Sequence, residues 1–139
     1  IITISCSSDS HDIEDENTAP AALVGKWMFD NFKFENVPES TDYCHNKSYI
    51  IFNTDGTFER KEYYTMSGNI CEEDGNDIGT YEYNSTAHKI TLYFDDLTAP
   101  EDGHQVEVWN NVQLTSSTLS YTWDEDDDGL DEWSVTYKK

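Results

Sequence analysis

Between residues 25 and 139 apolar side chains recur at every second position in short runs, the period of strands with one face in a core and the other in water. Trp27, Phe29, Phe32 and Phe34 carry the first run, over 25–36, and the change of parity between Phe29 and Phe32 predicts a β-bulge. Runs at 49–53 and 57–65 flank Asp55-Gly56, a dipeptide that predicts a tight hairpin with Phe52 and Phe58 facing inward together. Residues 71–77 (CEEDGND) read as a loop before a strand at 80–83. A turn at 84–88 then leads to Ile90, Leu92 and Phe94, alternating with Thr91 and Tyr93. After a loop at 98–103, Val106, Val108, Val112 and Leu114 are expected on one face of a long strand, with Asn110 among them. Ser116 and Ser117 turn the chain again. Leu119, Tyr121 and Trp123 mark the seventh strand, and Trp133, Val135 and Tyr137 the eighth. Apart from a possible single turn at 20–24, no ten-residue stretch has helical periodicity.

Eight strands joined by short turns are enough for an antiparallel sheet to close on itself and remove its edges. The expected fold is therefore all-β, an eight-stranded antiparallel up-and-down barrel, with a two-sheet sandwich of the same strands as the alternative. Composition agrees: 14% of the 139 residues are aromatic, with nine Tyr, six Phe and four Trp, against only seven Gly and three Pro. A chain of this length fits one domain with one core.

The order Leu23, Gly25, Trp27, then Cys44, the Phe52 and Asp55-Gly56 hairpin, Cys71 and Gly79-Thr80-Tyr81 resembles the bacterial lipocalin-like lipoprotein family over residues 21–139. That resemblance implies a barrel with Trp27 packed across its closed end, often beneath an Arg from the last strand, where this chain has Lys138 and Lys139. It also implies a non-catalytic protein that binds a small hydrophobic or amphipathic molecule.

At the other end of the chain, Ile1-Ile2-Thr3-Ile4-Ser5 reads as the tail of an apolar export-signal core. Ser5-Cys6-Ser7-Ser8-Asp9 is similar to the lipobox of bacterial lipoproteins, with Thr3 where that box usually carries Leu. Residues 1–6 are then the remnant of an export signal ending in a lipidated Cys6, 7–20 a flexible acidic tether, and 21–139 the barrel domain. The expected address is the bacterial cell envelope: exported, anchored at the outer membrane and exposed at the surface. Membrane contact is expected through the lipid alone, because no stretch approaches the ~20 apolar residues that span a bilayer. With Cys6 assigned to lipid, Cys44 and Cys71 in an oxidising compartment read as a disulfide, and a metal site of Cys44, His45 and Cys71 is the competing reading.

Charge narrows the partners. A net charge of -21, from 29 acidic against eight basic side chains, repels phosphate backbones, so nucleic acid is not an expected partner and a soluble monomer is. The most specific ion signal is DEDDDGLDE at 124–132. Asp124, Asp126, Asp128 and Gly129 follow the DxDxDG pattern of calcium loops, with the Leu130 carbonyl and Glu132 as further ligands and Asp131 as a candidate to complete the shell. Val135 stands where an EF-hand requires its bidentate carboxylate, and the flanks read as strands. Two readings stand: a calcium-binding hairpin with Kd on the order of 0.1–1 mM, or an acidic, solvated turn between the last two strands.

Inside the barrel, Phe58, Arg60, Glu62 and Tyr64 share one face of a strand, and an inward Phe58 brings Arg60 and Glu62 inward with it. Charges there need partners or a polar guest, so Arg60, Tyr64 and Asn110 are the candidate ligand-binding residues; the alternative is a bulge that turns Arg60 and Glu62 to solvent. The competing reading is a solid-core surface module acting through protein contacts or calcium-dependent adhesion. No enzyme is expected: His11, His45, His88 and His104 have no nucleophile context, and there is no Gly-rich phosphate loop.

Overall fold

The computed structural model describes residues 19–95 and 106–139. Nine strands are described: β1 (Gly25–Phe34), β2 (Val37–Pro38), β3 (Tyr49–Phe52), β4 (Thr57–Met66), β5 (Ile70–Asn84), β6 (Lys89–Phe94), β7 (Val106–Leu114), β8 (Thr118–Trp123) and β9 (Trp133–Lys138). Each pairs antiparallel with its neighbour in the order β2-β1-β3-β4-β5-β6-β7-β8-β9, and β9 returns to pair with β1. That last ladder, from Met28↔Lys138 to Phe34↔Trp133, closes an eight-stranded barrel and excludes the two-sheet sandwich. β2 is a short addition to β1, made where Glu35 and Asn36 turn the chain with positive φ. Cys6, the expected lipidation site, and nearly all of the expected tether lie outside the described residues, as does the expected loop at 98–103. No helix among the described residues is long and apolar enough to cross a membrane.

The expected bulge falls between Phe29 and Asn31, where the β1–β9 register shifts, and the Asp55-Gly56 turn joins β3 to β4 with Phe52 opposite Phe58. The expected loop at 71–77 is instead strand. β5 is continuous from Ile70 to Asn84 and pairs with β4 as far out as Met66↔Ile70. Its polar residues are compatible with a strand because the inner face there meets a charged partner, Arg60↔Asp77, rather than an apolar core. The second correction is in β7. The β7–β8 register shifts between Asn110 and Gln113, and Asn111 has a φ of 50°, so parity changes mid-strand. Trp109, Val112 and Leu114 turn toward the core, whereas Val106 is exposed and Val108 only half-buried.

One end of the barrel is closed. Leu23, Trp27, Ile50, Phe52, Ile90, Leu92 and Leu119 have no exposed surface and fill it. The spacing Leu23, Gly25, Trp27 has a local cause: Gly25 takes a φ of 122°, open to glycine alone at little cost, and the Trp27 indole donates to the Leu23 carbonyl at 2.7 Å. Lys139 takes the place of the family's arginine, with its ammonium 4.5 Å above the Trp27 ring and bonded to the carbonyls of Ala22 and Val24. Gly79 is fixed by a close approach, since a Cβ there would stand 1.9 Å from the Tyr93 carbonyl oxygen.

Candidate functional site: a charged aromatic cavity and an acidic mouth

Toward the opposite end the barrel does not fill. A cavity of about 430 Å³ opens there, within the range that holds a small organic molecule. At its inner end the Trp109 and Tyr121 rings stack, with centroids 3.8 Å apart and planes 2° from parallel, and Tyr137 lies 6.3 Å from Tyr121. Phe29, Phe32, Trp123, Trp133 and Val135 continue the apolar wall toward the mouth.

Charge enters this wall from β4, β5 and β7. Arg60 is 7% exposed. Its Nε and Nη2 donate to Asp77 Oδ2 at 3.0 and 2.9 Å, and its Nη1 reaches both Glu107 oxygens at 3.1 and 2.9 Å. The Trp109 indole also donates to Glu107 Oε1, at 2.5 Å. Burial by itself would lower the Arg60 pKa, but Glu107, Glu62 and Asp77 outweigh it and hold the guanidinium firmly protonated. Glu62 is different. It lines the cavity two residues nearer the mouth than Arg60, is exposed to solvent, and receives no hydrogen bond from a described residue. Desolvation raises its pKa, Arg60 pulls it down, and Glu107, Asp77 and Asp74 push it up again, leaving it above the ordinary glutamate range. Tyr121 and Tyr137 are likewise raised by burial first, so both stay neutral phenols.

The predicted ligand residues separate. Arg60 lines the cavity but spends its donors on Asp77 and Glu107. Tyr64 sits at the rim, 37% exposed, with its hydroxyl donating to Glu72 at 3.1 Å. Asn110 turns the other way and donates to Asp131 at 2.9 Å, because strand alternation places it opposite the inward Trp109. Asp77, Glu107 and the stacked Trp109 escaped the sequence reading. Asp77 fell inside the supposed loop, and the alternation of Glu107 with Trp109 was the signal for the other two.

At the mouth, β8 and β9 are joined by the acidic loop. Asp124, Asp126, Asp128 and Glu132 each place a carboxylate oxygen within 4.8 Å of the others, a set of hard oxygen donors that could hold a metal ion. The loop is wrapped by its own amides: Gly129 donates to Asp124 Oδ2 at 2.8 Å, Leu130 to Asp128 Oδ1 at 2.8 Å, and Glu125 to Glu132 Oε2 at 3.1 Å. The second Asp124 oxygen is buried and has no hydrogen-bond partner. Leu130 stays in this loop with its side chain exposed. Asp131 leaves the cluster to accept bonds from Asn110, Asn111 and Thr122, so it cannot complete the shell. At the edge of the cavity the Trp133 indole donates to Glu125 at 2.7 Å, tying the loop to the apolar wall.

Cys44 and Cys71 form a disulfide with Cα atoms 5.3 Å apart. It removes both thiols from any metal site with His45 and binds the segment before β3 to the outer end of β5.

The sequence model of the lipocalin-like domain matches residues 23–121. The chain belongs to the lipocalin-like domain family. The match begins at Leu23, which receives the Trp27 indole bond, and ends at Tyr121, which stacks on Trp109, so it spans both the closed end and most of the cavity wall. The acidic loop lies beyond it. Lipocalin-like barrels are typically binding folds without catalysis. A comparison with curated protein sequences gives no significant match.

Proposed function

We propose that this protein is a non-catalytic binder of a small apolar or amphipathic molecule, held in the barrel and carried at the bacterial envelope on a lipidated Cys6. The observation that carries this reading is the cavity of about 430 Å³, walled largely by aromatic rings, above a packed barrel end. It favours a ligand binder over a solid-core adhesion module, which would have no reason to leave that space unfilled. Native mass spectrometry of the purified protein, followed by organic extraction, is expected to find a co-purified small molecule. A bare mass, with no gain in melting temperature from any of a broad set of amphiphiles, would refute the reading. The anchor is tested separately: Cys6→Ser is expected to move the full-length protein from the membrane to the soluble fraction.

A second reading rests on a different observation. The buried, unpartnered Asp124 oxygen beside Asp126, Asp128 and Glu132 supports a structural calcium at the mouth. Melting in millimolar calcium against excess chelator tests it, and identical curves would remove the ion.

A further inference from the structure

The charges in the cavity are lopsided, and this asymmetry sharpens the proposed binding function, on which the following rests. Four carboxylates line the space, Glu62, Asp74, Glu107 and Glu125, against Arg60 and, at the edge, His45. Arg60 is no receptor for an anion, because Asp77 and Glu107 already engage both faces of its fork and place two negative charges against its one positive charge. Glu62 is then left as a carboxylate facing the cavity without a hydrogen-bonding partner among the described residues. Much of the remaining wall is π-surface, from residues such as Phe29, Phe32, Tyr121, Trp123 and Trp133. A cation over such rings is attracted by their quadrupoles, an attraction that strengthens in a recess partly shielded from water. An anion would meet uncompensated carboxylates in a protein whose whole surface is already strongly negative.

We infer that the cavity selects an organic cation, an ammonium group on an apolar body, with Glu62 as the counter-charge and the aromatic wall as the cage. The test uses the intact protein and three probes of matched shape: 4-phenylbutyltrimethylammonium, 4-phenylbutanol and 4-phenylbutyrate, titrated by calorimetry and by quenching of tryptophan emission. The ammonium is expected to bind about tenfold more tightly than the alcohol, and the carboxylate most weakly, the advantage that a partly shielded aromatic cage with one ion pair supplies. In Glu62→Gln, a near-isosteric change checked for folding by its melting curve, the ratio between ammonium and alcohol is expected to fall by about tenfold. If the alcohol or the carboxylate binds as tightly as the ammonium in the unaltered protein, the cation inference is overturned while the ligand-binding reading stands. If the ratio survives in Glu62→Gln, Glu62 is not the counter-charge and the inference also fails. If none of the three binds, the cation inference fails, while the ligand-binding reading is still decided by the co-purified molecule and the wider amphiphile set.

Discussion

The two halves of this barrel obey the same alternation and do opposite things with it. At the closed end the inward positions are Trp27, Ile50, Phe52, Ile90, Leu92 and Leu119, all fully buried, and the interior is packed. At the open end the inward positions, on β4 and β7, include Arg60, Glu62 and Glu107, and space remains. Period two decides which side chains face inside, but it does not decide what fills the inside. An apolar end can be packed to the density of a crystal and so anchors the fold. A charged end must keep water, partners or a guest, and so becomes the site.

If the closed end is the anchor, its central ring should be the costliest to remove. Trp27→Ala is expected to cost about 4 kcal/mol in urea unfolding, from lost burial plus the cavity left behind. A cost near 1 kcal/mol would show that stability is spread evenly and break the contrast. The open half lacks that packing and is held instead by Cys44–Cys71, whose replacement by two serines is expected to cost about 3.5 kcal/mol on the chain-entropy account. Arg60→Met should cost a similar amount, about 3 kcal/mol, because it strands Asp77 and Glu107 as buried carboxylates without their cation. Adding Asp77→Asn and Glu107→Gln should recover much of that loss, and failure to recover would show that Arg60 acts through packing. Calcium at ten times its Kd is expected to add about 1.4 kcal/mol to the melting stability by mass action. Trp133 emission should respond with it, since its indole is tied through Glu125 to the loop.

The smallest effect carries the sharpest sign. The folded state raises the Glu62 pKa, so between the unfolded value near 4.5 and that raised value the native state binds more protons than the unfolded chain. Stability conferred by the neutral form is therefore lost as pH rises through this window, and above it the ionised group is a cost. Glu62→Gln is expected to raise Tm at pH 7 and to leave it little changed below pH 4. A lower Tm at pH 7 would mean that the carboxylate is paired in solution, which would also undercut its proposed role as a counter-charge.

The same contrast marks where the sequence was legible. The bulge after Phe29, the Asp55-Gly56 hairpin and the inward faces of β6, β8 and β9 all follow from period and turn chemistry, because each is decided by residues near in sequence. The acidic loop was legible for the same reason. The 71–77 segment misled because glycine and acidic residues favour turns locally, whereas here the pairing with β4 satisfies the backbone and Arg60 satisfies Asp77. β7 misled because a bulge at Asn111 reverses the face of everything after it, and a non-glycine residue with positive φ leaves no clear mark in composition.

Sequence alone determined the strands, most of the turns, the anchoring tryptophan and the carboxylates of the mouth. Only the tertiary structure decided that β9 closes onto β1, that Lys139 caps Trp27 as the family's arginine would, and that Arg60 is claimed by Asp77 and Glu107 while Glu62 faces the cavity without a bonded partner. The physical reason is range. Alternation and turn propensity are set over a few residues, whereas the pairing of a charge on β4 with one on β7 is 47 residues distant in the chain and exists only once the barrel has closed.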